Sequence, residues 1–284
     1  MSTQELRITP MSTGMVLDGA FRLYAQNFPL MLGITAILNV PLLLVTGLMT
    51  APILFPGVRS PLGTLAALAG ALGTLVGFLI VYPLITGAMT KAVSERYLGN
   101  PVTVGSALKE AWGSIGTLLL NQMIVGIVVA VGFLLLVVPG ILWMLSYSLV
   151  VPVAILETRV RHLHSLTGDS TRTTVQSPDR AEIRRRSWKL VQGNRGKVFA
   201  VLAVFFVMQM LLAYAASLIV QGSFQAGSSL ATIFQSMTGN VVNILVYPLQ
   251  TIAVTLLYYD LRIRKEGFDL EMLSHAIGSP AINS

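Results

Sequence analysis

With three histidines and no cysteine, the chain has few side chains able to do redox, metal or nucleophilic chemistry. His162 and His164 form a His-x-His pair that two ligands of a zinc ion can share, and Glu157 and Asp169 lie near them in sequence. A catalytic zinc needs a third protein ligand and an ordered frame around it. Neither acid has a helical spacing to the pair, and His275 stands alone. The expectation is no metal and no cofactor. Without cysteine there is no thiolate nucleophile and no disulfide. The chain shows no glycine-rich phosphate loop, no nucleophile elbow and no carboxylate pair on one helix face. Asp260 and Arg262 end an apolar run, where charges read as a membrane-edge anchor. The residues point away from an enzyme.

Neutral polar groups are better represented. Asn39, Asn121, Gln122, Gln209, Tyr214, Asn243 and Gln250 all fall inside apolar segments. Interhelical hydrogen bonds in lipid, each worth about 0.6–2 kcal/mol, account for residues of this kind. Asn39, Asn121 and Gln209 are the candidates for lining a solute path. Pro41, Pro83, Pro152 and Pro248 are candidate helix hinges beside it, because proline removes a backbone hydrogen bond and clashes with the preceding turn. Half-helix ends created in this way hold solutes in some transporters, and elsewhere merely shape a bundle. Val-Tyr-Pro-Leu occurs twice, at Pro83 and at Pro248.

The elements that must position these residues are six apolar runs, 29–50, 62–89, 115–138, 140–156, 198–220 and 241–259, with no Asp, Glu, Lys, Arg or His in any of them. A bilayer core requires roughly 20 apolar residues per helix. A mean hydropathy of +0.74 with 11% charged residues excludes a soluble globular domain. The fold class expected is an all-α polytopic membrane bundle forming one domain over 1–284. Of the 19 Lys and Arg residues, only Arg59 falls on the opposite side from the rest, so both termini are expected to be cytoplasmic. The net charge of +7 is explained by helix-end cations, with no nucleic-acid partner expected.

Each odd-numbered run is preceded by an amphipathic stretch, at about 14–27, 103–112 and 178–192. In the first, Asp18 and Arg22 are spaced to pair at i, i+4, and the helix is expected to lie in the interface plane. The third carries Arg184, Arg185, Arg186 and Lys189, extended by Arg195 and Lys197, as an expected binding face for anionic lipid headgroups. Between spans, 158–177 reads as a mobile cytoplasmic loop, and the uncharged 221–240 as an outer segment open to a re-entrant reading.

Leu17-Asp18-Gly19-Ala20-Phe21-Arg22-Leu23-Tyr24 with Asn27-Phe28, then Pro152-Val153 with Leu156-Glu157, and Arg186-Ser187-Trp188-Lys189-Leu190-Val191 with Gly193 are distinctive. So is Leu256-Leu257-Tyr258-Tyr259-Asp260-Leu261-Arg262-Ile263-Arg264-Lys265-Glu266-Gly267-Phe268-Asp269-Leu270. Together they make the chain resemble, over nearly its whole length, the bacterial glycerophosphoryl diester phosphodiesterase membrane-domain family. In that family the helical part can accompany a soluble catalytic barrel. The resemblance implies a membrane part alone, in a bacterial inner membrane, with no catalytic residue to carry over. The connection from Glu157 to Arg186 is longer than the family's usual link.

The function expected is a non-enzymatic membrane protein that organises, anchors or assists the handling of lipid or of a partner membrane protein. The alternative is a transporter of a small solute or lipid using proline-broken helices, with a membrane-embedded enzyme third.

Overall fold

The computed structural model describes residues 10–54, 61–157, 180–225 and 228–266, and every regular element among them is helical. In chain order these are α1 (Thr13–Gln26), α2 (Phe28–Leu54), α3 (Pro61–Val76), a π-helical turn (Gly77–Val81), α4 (Tyr82–Tyr97) and α5 (Val104–Gly113). They continue with α6 (Ile115–Leu135), α7 (Val137–Ser146), α8 (150–157), α9 (Arg180–Val191), α10 (Arg195–Ser223) and α11 (Ser229–Glu266). Among the described residues, five helices are long and apolar enough to cross a membrane, and the bent pair α1–α2 makes a sixth candidate span. The chain is an all-α, multi-pass membrane bundle.

The same joint occurs three times. Ser12 caps α1 by accepting the Met15 N–H at 3.2 Å. The helix stops at Asn27 (φ −123°, ψ 25°), and α2 leaves at 82°. Thr103 and Ser106 form a reciprocal cap for α5, which ends at Ser114 (φ −105°, ψ 5°) before α6. After α9, Gly193 takes φ +88°, and Asn194 (φ −120°, ψ 19°) starts α10. Each amphipathic helix thus hands over to a long apolar helix through one residue near the bridge region of backbone space.

Several boundaries differ from those read in the sequence. The α6–α7 break falls at Leu136, which is extended (φ −164°, ψ 151°), rather than at Pro139, the residue between the runs 115–138 and 140–156. Pro139 sits in the first turn of α7, where proline is tolerated. Gly140 is needed for close packing, since a Cβ there would lie 2.6 Å from the Phe133 ring. The fourth span is itself broken by a turn at 147–149 before α8 and Pro152. The π-helical turn directly precedes Tyr82-Pro83. By contrast, α2 and α11 run through Pro41 and Pro248. Residues 229–240 are the start of α11, so this part of 221–240 is not a re-entrant loop.

Helix α1 runs lengthwise along α11. The Met11 N–H donates to Asp260 at 2.6 Å, a Cβ on Gly19 would sit 3.3 Å from Leu256, and the Tyr24 hydroxyl donates to the Leu245 carbonyl at 3.0 Å. These contacts descend α11 as they ascend α1, so the two are antiparallel. Val16 and Ala20 are fully buried against it. Asp18 and Arg22 stay on the exposed face and form no ion pair among the described residues.

Burial is concentrated at one end. Residues 83–95 of α4, 152–155 of α8 and 251–261 of α11 are almost wholly buried, with α1, α5 and α9 packed around them. Towards the other end α6, α7 and α10 turn large apolar side chains outward, as at Leu134, Phe206 and Ile219. Helices α11, α4, α6, α7 and α10 pack on one another in that cyclic order. Across this ring, α11 makes no extended contact with α6 or α7, and α10 makes none with α4 or α6.

Candidate functional site

Ionisable groups gather where burial is greatest. Asp260, fully buried, accepts from Lys197 at 2.5 Å, from Arg264 at 3.1 Å and from the Met11 N–H. Lys197 and Arg264 also donate to the Met11 carbonyl, at 2.5 and 2.7 Å. A carboxylate buried this deeply is tolerable only when paired and hydrogen-bonded. Asp260 is therefore the hub that ties the start of α1 to α10 and α11, which corrects its reading as a membrane-edge anchor.

A second network lies beside it. Glu157 of α8 accepts from Arg186 of α9 at 3.0 Å and from the Tyr258 hydroxyl at 3.2 Å. Arg186 also pairs with Glu266, which pairs with Arg262 at 3.2 Å. Burial works against the Arg186 charge, but the two carboxylates outweigh it and hold its pKa above the ordinary value. Lys91, 5% exposed, sits between Glu95 at 2.9 Å and Glu110 at 2.7 Å, joining α4 to α5. Acids and bases do converge here, yet each is consumed by a neighbour of opposite charge. No group of three or more His, Asp or Glu able to hold a metal occurs among the described residues. His162, His164, Asp169 and His275 lie outside the described residues, as does the 158–177 loop.

The six basic residues assigned to lipid divide into three groups. Arg184 donates to the Asn121 side chain at 2.9 Å, Arg186 is held by Glu157 and Glu266, and Lys197 by Asp260. These three hold the fold together. Arg185 and Lys189 are exposed without an ion-pair partner among the described residues. Arg195 lies over the Trp188 ring at 5.1 Å, and Trp188 packs on Tyr147 at 5.7 Å. Arg22, Lys109 and Arg180 join the exposed, unpaired set.

The neutral residues also separate. Asn39 donates to the Thr35 carbonyl at 2.7 Å within its own helix, and Pro41 is exposed. Asn121 is buried and meets Arg184. Gln209 donates to Asn243 at 2.7 Å, linking α10 to α11. The two Val-Tyr-Pro-Leu segments come together: Tyr82 and Tyr247 have ring centroids 5.3 Å apart. Gln122 of α6 donates to Thr86, one turn beyond Tyr82, at 3.2 Å. Sequence reasoning passed over Tyr82, Tyr247 and Thr86. The signal available was that the repeat extends to Thr86/Thr251, Ala88/Ala253 and Thr90/Thr255. Comparison with protein-family models, with curated proteins and with solved structures gives no match to this chain.

Proposed function

We propose that the protein is a non-enzymatic membrane scaffold whose charged end holds anionic lipid headgroups. The supporting observation is how the charges are used. Glu95, Glu110, Glu157, Asp260 and Glu266 all have internal cationic partners, whereas Arg22, Lys109, Arg180, Arg185 and Lys189 are exposed and unpaired among the described residues. On the three amphipathic helices these five outward cations outnumber the two exposed acids, Asp18 and Glu182. Aromatic side chains accompany it. Phe21 beside Arg22 is 45% exposed, and Trp112, one turn beyond Lys109, is 62% exposed. Aromatic groups with adjacent cations suit the headgroup layer, where one side is apolar and the other wet. The family resemblance, a cytoplasmic placement of the charged end and a bacterial inner membrane belong to the same proposal.

Each basic side chain near an anionic leaflet contributes about 1 kcal/mol before screening. Replacing Arg180, Arg185 and Lys189 with Gln removes three while leaving the Arg184, Arg186 and Lys197 contacts intact. The variant should keep its fold and orientation and lose phosphatidylglycerol on gentle extraction, measured by lipid mass spectrometry, with a difference that shrinks in high salt. Equal retention by the variant and the parent chain would remove the lipid-binding reading.

A further inference from the structure

We infer that the ring of α11, α4, α6, α7 and α10 encloses a binding site for an uncharged ligand rich in hydroxyl or amide groups. This goes beyond the lipid-belt proposal and rests on different residues.

Asn243, Tyr247 and Gln250 recur at i, i+4 and i+7, which places them on one face of α11. The neighbours of that face are fixed by contact. Asn243 bonds Gln209 of α10, and the Tyr247 ring packs at a tilt against Tyr82 of α4. Leu245 and Leu256, on the opposite face, touch α1. The polar face therefore looks between α10 and α4, two helices that make no extended contact, towards the inside of the ring. On the next side of the ring, Gln122 of α6 bonds Thr86 of the adjoining α4.

Thr86 is buried, but other members of this set are not sealed by packing. Asn243 and Gln250 are exposed, Tyr82 is 42% exposed, and the Gln250 amide has no partner among the described residues. An amide left unsatisfied away from water costs free energy, so such a space must hold water or a ligand that hydrogen-bonds. The charged end of the ring is closed. Helix α8 leans into it, with Ile155 beside Gly87 of α4 and Glu157 on Tyr258 of α11. Around the open part every polar group named is neutral, so the lining supplies hydrogen bonds but no countercharge for a phosphate or carboxylate.

The chain has no native cysteine, which makes single-cysteine labelling clean. Gln250→Cys and Asn243→Cys would be reacted with a membrane-impermeant methanethiosulfonate reagent in nanodiscs, with the outward-facing Leu134→Cys and Phe206→Cys as controls. Both ring positions should react several-fold faster than the controls. The reaction should be slowed by free myo-inositol, or by a glucosyl diacylglycerol in the nanodisc, but not by myo-inositol monophosphate. Protection by myo-inositol identifies a free solute, and protection by the glycolipid alone identifies a lipid-borne headgroup. Reaction no faster than at Leu134→Cys overturns the site. Rapid reaction that neither neutral probe slows, or that the monophosphate slows best, overturns the ligand class. Neither result bears on lipid retention by the α9 variant.

Discussion

Ser94 Oγ and Tyr259 Oη lie 2.6 Å apart across a separation of 165 positions. The same offset superimposes Val81-Tyr82-Pro83-Leu84 on Val246-Tyr247-Pro248-Leu249 and pairs Tyr82 with Tyr247. Helices α4 and α11 are therefore parallel and in register over their common repeat, with equivalent residues facing each other at both ends. Each single change, Ser94→Ala or Tyr259→Phe, leaves a buried hydroxyl without its partner, whereas the double change leaves none. The coupling in a double-mutant cycle, read by denaturant titration in micelles, should fall at about 0.6–1.7 kcal/mol. A coupling near zero would mean that the contact adds nothing to the register.

Asp260→Ala should be the most damaging single change outside the apolar core. It leaves Lys197 and Arg264 partly buried with no countercharge, and breaking a buried pair in this way costs about 3–5 kcal/mol. Adding Lys197→Met should recover part of the loss. Thermal unfolding of purified chains checks both, and a double variant no better than Asp260→Ala would count against Asp260 and Lys197 acting as a unit.

Gly87 is a point of contact among three elements. A Cβ there would lie 2.7 Å from Leu118, 3.3 Å from Ala111 and 3.4 Å from Ile155. Gly87→Val should cost about 1–3 kcal/mol through overpacking. Gly126→Ala, where no neighbouring atom lies within 4 Å, is the matched control and should be near neutral or slightly stabilising on helix propensity.

The charge asymmetry sets the expected orientation. Reporter fusions after Arg59 should read as external and fusions after Ser170 and at Ser284 as cytoplasmic, because all other basic residues fall on the second side. A cytoplasmic signal at Arg59 would invert the assignment.

The apolar runs and the three amphipathic stretches were legible because a bilayer imposes length and because helical spacing is local. The expected 14–27 and 103–112 appear as Thr13–Gln26 and Val104–Gly113. The α6–α7 turn was misplaced because Pro139-Gly140 carries turn chemistry, while Leu136, which makes the break, does not. The Asp260 hub was out of reach for a different reason. Its partners stand 63 and 249 positions away, and nothing in the spacing of Lys197 or Met11 announces them. The division of the α9 cations was equally hidden. Arg184 and Arg185 are adjacent in sequence, yet one turns to Asn121 and the other outward.

The central position of α11 bears on the order in which the chain assembles during synthesis. Met11, Lys197, Glu157, Ser94 and Tyr82 all find their partners on the last described helix. A nascent chain emerging N-terminus first therefore inserts its earlier helices before the residues that neutralise and bond them have been made. Docking of α1, α4, α8 and α10 on α11 has to wait until Ser229–Glu266 has been made, and a chain stopped before Ser229 would lack all of these partners at once.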